Sequence, residues 1–287
     1  MYAMGKQRKS HPKITSPDVK RSIPPSLAPI LSQLELESPE IVTLSRLTEI
    51  AIQAGVKTTP AIVAGRLRNL GWLIPTSTRA VWEFAPGSHA GAFRHGDPYL
   101  ELRAAQAVRP DLTMVVCLSS ALAAQRLTTR KPDRLEIAIP PNQLIPSGLR
   151  QRARVVRFQA KLKSTEVDGV PVHQLASILV HIADRPVDVR GWGEIAEVLP
   201  ELMDQVARAD VEYELQDRSR AARVRLAYLI HGIDPILADH LVPPSDGGRE
   251  APRIWFGPRG RLKRQSMRFS VADTILPFNP SKFHTDQ

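Results

Sequence analysis

The stretch from Ile41 to Phe84, IVTLSRLTEIAIQAGVKTTPAIVAGRLRNLGWLIPTSTRAVWEF, decides the fold of the first third of the chain. Ile41-Val42-Thr43 is a short β-type run. Leu44 to Ala54 then places Leu44, Leu47, Ile50 and Ala51 on one helical face, and Gly55 stops the helix. After the turn Gly55-Val56-Lys57-Thr58, Thr59 is placed to cap a second helix through its hydroxyl. Pro60 takes the first helical position, where its missing N–H costs nothing. That helix runs to Leu70 with Val63, Leu67 and Leu70 as its apolar stripe, and Gly71 ends it. Trp72–Ile74 and Val81–Phe84 are β-type segments around Pro75–Ala80, which reads as a hairpin. Upstream, Pro24–Glu37 carries Leu27, Ile30, Leu31 and Leu34 at helical spacing. Two helices joined by a Gly-containing turn form a helix-turn-helix. With a helix and short strand before them and a hairpin after, the order is that of a winged helix.

The second of these helices has a distinctive outward side. Thr58, Ala61, Ile62, Gly65, Arg68 and Asn69 point away from the apolar stripe, with Arg66 flanking it. Small residues let a helix approach a groove closely. Arginine pairs with guanine, and asparagine with adenine, through two hydrogen bonds each. The residues expected to meet DNA are therefore Lys57, Thr58, Thr59, Ala61, Ile62, Gly65, Arg66, Arg68 and Asn69, with Arg79 at the wing tip placed for a phosphate or the minor groove.

Charge points the same way. The chain of 287 residues holds 39 Lys+Arg against 29 Asp+Glu, a net +10 that suits a polyanionic partner. The excess is uneven. Residues 1–22 carry Lys6, Arg8, Lys9, Lys13, Lys20 and Arg21 against Asp18, and read as a disordered basic arm. Residues 249–268 carry Arg249, Arg253, Arg259, Arg261, Lys263, Arg264 and Arg268 against Glu250. From this second run, Arg259, Arg261, Lys263, Arg264 and Arg268 are candidates for contacts with phosphates or a protein partner. Forty-three per cent apolar residues and 24% charged residues make a globular composition. The single cysteine, Cys117, excludes an internal disulfide and a cysteine-based zinc cluster and fits a reducing, cytoplasmic setting. No apolar run reaches the ~18 residues of a membrane span, and the N-terminus lacks the features of a signal peptide.

Residues 85–98 are rich in glycine, proline, alanine and histidine and read as a linker. Beyond it, the expected elements are a helix over Tyr99–Val108 and an apolar strand over Thr113–Leu118. A helix capped by Ser119 or Ser120 and running to Leu127 follows, then a half-buried strand over Arg134–Ile139 and another over Arg154–Gln159. Asp168-Gly169 between apolar residues predicts a β-hairpin over Thr165–His173. The pattern is helical from Gln174 to about Leu241 and alternates again over Arg253–Phe278. The predicted fold is α+β, divided into the basic arm (1–22), a winged helix-turn-helix domain (23–88) and a mixed α+β C-terminal domain (97–287).

Catalytic constellations are missing from the sequence. It has no phosphate-binding glycine loop, no GxSxG elbow and no HExxH. His173 and His181, eight apart, read as structural side chains. Asp133 and Glu136 open a strand as a nuclease's metal carboxylates do, but Ala138 stands where such a site needs lysine. Cys117 reads as a buried, inert thiol. Neither a metal nor a cofactor is expected.

RLRNLGWLI, the hairpin, WEFAPG, DPYLELRA, VVCLSSALAAQRL, RLEIAIP and EVDGVPVHQLASILVHIADRP, in this order, resemble the AbiEi antitoxins of bacterial toxin–antitoxin, abortive-infection systems. The resemblance spans roughly residues 40–240, and the basic arm departs from the family's shorter starts. It implies an N-terminal winged helix that binds inverted repeats in its own promoter and represses the operon, with its recognition helix falling on Thr59–Leu70. It further implies a C-terminal domain that counters a nucleotidyltransferase-like toxin during phage defence, in some members without a stable complex. No catalysis is implied. Two other readings stay open at this point: a winged-helix transcription regulator with a ligand-sensing C-terminal domain, and a nuclease or modifying enzyme using Asp133 and Glu136.

Overall fold

A computed structural model describes residues 23–87, 97–242 and 252–283. The basic arm, most of the linker, and Arg249 and Glu250 of the C-terminal run lie outside the described residues. The described residues divide into two compact units: 23–76 with 80–87, and Ser77–Arg79 with those from 97 onward. The tip of the predicted wing thus groups with the second unit.

The first unit contains α1 (Ala28–Glu37), β1 (Ile41–Thr43), α2 (Leu44–Gln53), α3 (Pro60–Asn69), β2 (Leu73–Pro75) and β3 (Val81–Phe84). Its three strands form an antiparallel sheet in the order β1-β3-β2, with Val42 opposite Trp82 and Ile74 opposite Glu83. The helices and strands follow one another in the order that the sequence predicts for this unit. Leu31, Leu34, Val42, Leu47, Ile50, Val63, Leu67, Leu73 and Phe84 form its core, and Trp72 stacks on Phe84 with ring centroids 6.5 Å apart. Gly55 and Gly71 follow α2 and α3 with φ of +65° and +76°, a backbone region that strains any residue carrying a Cβ.

Helix capping in this unit departs from expectation at one position. Thr43 caps α2, its hydroxyl accepting from the Arg46 N–H at 3.1 Å. Thr59 precedes α3 as predicted, but its side chain makes no cap bond. The Ile62 N–H, which the hydroxyl would take, turns back instead to the Thr59 carbonyl at 2.9 Å.

The second unit is mixed α+β. Its elements run α4 (Leu100–Val108), β4 (Val115–Val116), α5 (Leu118–Ala124), β5 (Glu136–Ile139), α6 (Ser147–Arg152), β6 (Arg154–Arg157), β7 (Thr165–Val167) and β8 (Val170–Val172). There follow α7 (Leu175–Asp184), α8 (Trp192–Gln205), α9 (Arg208–Leu215), α10 (Arg220–Ile230), α11 (Pro235–Leu241), β9 (Ile254–Phe256), β10 (Arg264–Ser266) and β11 (Val271–Asp273). Five strands form a sheet in the order β6-β5-β4-β8-β7, parallel in the β5–β6 and β4–β8 pairs and antiparallel in the others. Helix α7 is buried from Ala176 to Ala183 and packs against α10, α9 and α5. The alternating C-terminal segment forms a separate three-stranded sheet, β10-β11-β9.

Two sequence expectations change here for one shared reason. The strand expected over Thr113–Leu118 shrinks to Val115–Val116, because Leu118 turns with φ +49° and starts α5. Ser119 and Ser120 therefore lie inside the helix rather than capping it. The cap is supplied from β5: the Glu136 carboxylate accepts from the Ser119 N–H at 2.8 Å, and the Ser120 hydroxyl accepts from the Glu136 N–H at 2.9 Å. A carboxylate suits a helix N-terminus, where the peptide dipoles present partial positive charge. Strand β5 is not half-buried. All four of its residues are buried, since it lies between β4 and β6 with both faces covered. The Asp168-Gly169 turn closes the β7–β8 hairpin as predicted, both residues at positive φ, as a type I′ turn requires.

Candidate nucleic-acid interface

Helix α3 is held by one side. Val63, Ala64 and Leu67 sit in the core, and Leu70 at the end of the stripe is half-buried. At ~100° per residue, Ala61, Ile62, Gly65, Arg66, Arg68 and Asn69 share an arc of about 160° opposite that stripe, and Thr58 precedes the helix. The structure leaves this arc open. Ala61, Ile62, Arg66, Arg68 and Asn69 are exposed, and Thr58 and Gly65 are half-buried. An added Cβ on Gly65 would meet nothing within 4 Å. Lys57 and Thr59, beside the helix start, are exposed as well.

The cations on this side are uncommitted. Among the described residues, Lys57, Arg66, Arg68 and Arg79 make no ion pair, and no acidic residue lies in α3. Arg46 on α2 is different: it bonds Glu49 at 2.8 Å and Glu37 besides, so its charge is spent within the fold. Ile62 is 51% exposed on the same arc. An exposed isoleucine beside small residues and free guanidiniums matches the surface a helix offers to the major groove, where apolar side chains meet thymine methyls. Arg79 is also exposed, but it falls in the short segment that groups with the second unit.

The C-terminal basic run separates into two classes. Arg264 bonds the buried Asp273 carboxylate at 2.8 Å, the Lys263 ammonium donates to the Ile275 carbonyl at 2.8 Å, and Arg268 pairs with Asp239. These three serve the β9–β11 sheet. Arg259 and Arg261, in the loop before β10, are exposed and make no ion pair among the described residues. Arg253, just before β9, is likewise exposed and unpaired among the described residues, so these three keep the free charge expected of the run.

Of the acidic pair considered for catalysis, Glu136 is engaged within the fold and Asp133 is not. Glu136 is 4% exposed, pairs with Arg154 at 2.6 Å and caps α5; burial pushes its carboxyl up despite that arginine. Asp133 is exposed at the start of the segment and shares no bond with it. Cys117 is fully buried, and burial pushes its thiol well up, away from the reactive thiolate. Among the described residues no three His, Cys, Asp or Glu side chains converge as metal ligands.

His173 and His181 do meet, in a buried stack that their spacing alone does not reveal. The His181 ring lies flat on Phe158 with centroids 4.0 Å apart, and His173 meets Phe158 edge-on at 5.6 Å. His181 Nε2 faces Asp188 at 3.3 Å, and the Nδ1 atoms of both histidines have no partner. Burial depresses both pKa values, that of His173 to about 3. The unfolded chain titrates its histidines near pH ~6.5. Stability is therefore fully present above that value and is lost as pH falls toward the folded pKa. At ~1.4 kcal/mol per pH unit, His173 alone should cost about 2 kcal/mol between pH 7 and pH 5. Urea melts at the two pH values check this, and His173→Leu should flatten the difference by about that amount.

Buried Glu214, which nothing in the sequence singles out, holds the turn after β6. Its carboxylate accepts from the Lys161 and Leu162 N–H groups at 2.9 Å, from the Ser177 hydroxyl at 3.1 Å and from Arg218 at 3.1 Å. A charged residue within the helical pattern of α9 gives no local sign of this.

Residues 114–232 match the family model described as AbiEi antitoxin C-terminal domain. Among solved structures, the chain is similar to the RV2827C protein from Mycobacterium tuberculosis at 25% identity and a TM-score of 0.76, over 90% of this chain and 94% of that one. A search of curated proteins finds no match. No helix among the described residues is long and apolar enough to cross a membrane.

Proposed function

The chain carries an AbiEi antitoxin C-terminal domain over residues 114–232, and we propose that it is a DNA-binding antitoxin that represses its own operon. The observation that carries the DNA-binding half is the open outer arc of α3, where among the described residues Arg66 and Arg68 make no ion pair and a Cβ on Gly65 would meet nothing within 4 Å. On this reading α3 enters the major groove of promoter inverted repeats. Lys57, Thr58 and Thr59 approach the backbone at the helix start, and Ala61, Ile62, Gly65, Arg66, Arg68 and Asn69 face base edges. Arg79 and the loop arginines Arg259 and Arg261 are candidates for flanking phosphates.

The second unit, through its antitoxin domain, counters a nucleotidyltransferase-like toxin encoded beside it. Its role is regulatory rather than catalytic. The buried carboxylates Glu136 and Glu214 and the thiol of Cys117 are each engaged or sealed in the fold, which favours that reading.

Salt dependence measures how far the basic surfaces share one duplex. If α3, its flanks and the terminal clusters neutralise six to eight phosphates, the log–log slope of affinity against salt should be roughly −5 to −7. Fluorescence anisotropy on a promoter duplex reads this slope. A value near −1 would confine the contact to a single cation and reject the multi-cluster footprint. Co-expression with the neighbouring toxin tests the second half: growth should be restored by the intact chain, and failure to restore it would reject the antitoxin role.

A further inference from the structure

The second unit contains an open cleft of about 620 Å³ unrelated to the helix face above. Its walls include Arg157 and Phe158 at the end of β6, Lys161 in the turn beyond, Asp184 and Arg185 at the end of α7, and Tyr213, Gln216, Asp217 and Arg218 at and after the end of α9. Four cations line it, Arg157, Lys161, Arg185 and Arg218, against two carboxylates, Asp184 and Asp217.

Those carboxylates are already matched. Asp217 pairs with Lys161 at 2.8 Å and Asp184 with Arg218 at 3.5 Å. Of the two remaining guanidiniums, Arg185 is paired with Asp188 just outside the lining, so Arg157 carries the excess. Arg185 bonds Asp188 through Nε at 3.1 Å, and among the described residues its Nη atoms meet no partner. Arg157 is half-buried and meets no carboxylate among the described residues. One of its Nη atoms is pinned between the Pro140 carbonyl, at 2.9 Å, and the Gln143 carbonyl. A guanidinium fixed by carbonyls and left without a counter-ion, half out of water, is a preorganised site for an anion. Arg218 lies over the Phe158 ring at 4.4 Å and is held by Glu214, so that wall of the cleft is rigid.

The size and lining of the cleft identify the anion further. A volume of this order fits the ~300–1,000 Å³ range of small-molecule sites and far exceeds a lone phosphate. Tyr213 lines it with a ring 45% exposed, and the Lys161 ammonium stands 5.4 Å from the ring centroid. An exposed aromatic ring beside fixed guanidiniums offers stacking for a flat base and bidentate contacts for phosphate oxygens. We propose that this cleft binds a nucleotide, with its phosphates on Arg157 and Arg185 and its base against Tyr213. The assignment stands on the cleft's own geometry, and does not depend on whether α3 binds DNA.

Titration calorimetry on the full chain tests this, using ATP, CTP, GTP and UTP in turn, adenosine, inorganic triphosphate and a short single-stranded RNA with a 5′-hydroxyl. At least one triphosphate should bind saturably. Adenosine should give no heat, and inorganic triphosphate, which has no base to stack, should bind about tenfold or more weakly than the nucleotide. Arg185→Ala and Tyr213→Ala should each weaken the nucleotide by about tenfold while melting as the parent does. Asp217→Asn removes a carboxylate that is 91% exposed, so it should tighten binding severalfold, a gain that misfolding cannot imitate. No saturable heat with any triphosphate at millimolar concentration would overturn the proposal. So would binding unaltered by Arg185→Ala, inorganic triphosphate matching the nucleotide, or binding by the RNA alone.

Discussion

Replacing Arg66 and Arg68 together by alanine should cost the chain about 10²–10⁴-fold in affinity for its promoter, since each bidentate pairing of an arginine with a base is worth about 1–3 kcal/mol. Both side chains are exposed and make no ion pair among the described residues, and their removal leaves the packing of Val63, Ala64 and Leu67 untouched. The melting temperature should therefore not move. Binding to unrelated duplex should fall far less, because that attraction is electrostatic and shared with other cations. The single substitutions should relax the sequence preference at one position each. Equal reductions on promoter and unrelated DNA would mean that the two arginines touch phosphates and that sequence is read elsewhere.

The second large effect is on stability. Glu214→Ala should destabilise the second unit by about 3–5 kcal/mol, the usual consequence of removing one partner from a buried charge pair. Its carboxylate is wholly buried and satisfies two backbone N–H groups, a hydroxyl and Arg218. Removing it strands the two N–H groups and the hydroxyl, while Arg218 keeps Asp184 and the Gln159 carbonyl. Glu214→Gln keeps the volume and an acceptor and should cost less. Chemical denaturation of the three proteins gives the ranking, and an alanine variant as stable as the parent would show that solvent or a neighbouring group replaces the carboxylate.

The two units differ in how openly their sequences declare them. In the first, each boundary is written locally. Gly55 and Gly71 sit where the backbone turns left-handed, Pro60 starts α3, and the Val63/Leu67 stripe fixes which face is buried. The outward arc follows from the stripe by rotation alone, so the candidate DNA-contact residues can be named from sequence. The Asp168-Gly169 hairpin is legible for the same reason.

What stays hidden depends on residues far apart in the chain. Glu136 caps α5 from 17 residues away, which is why Ser119 and Ser120 resemble caps in sequence and the neighbouring strand reads as longer. Glu214 reaches backbone N–H groups 52 and 53 positions distant. The histidine pair is visible as spacing, but the Phe158 ring between the two comes from another part of the chain. The C-terminal cluster of positive charge is uniform in sequence. Among the described residues, folding divides it into Lys263, Arg264 and Arg268, which are bonded within the fold, and Arg253, Arg259 and Arg261, which are not.

The central claim is that α3 reads specific DNA upstream of this chain's own gene. Footprinting of that promoter with the intact protein tests it most directly. The prediction is a pair of protected blocks over inverted repeats, spaced by about 10 base pairs or a multiple of that. Both should vanish with the Arg66→Ala/Arg68→Ala protein at the same concentration. Uniform coverage of the fragment without discrete blocks, or protection identical in the double variant, would contradict it.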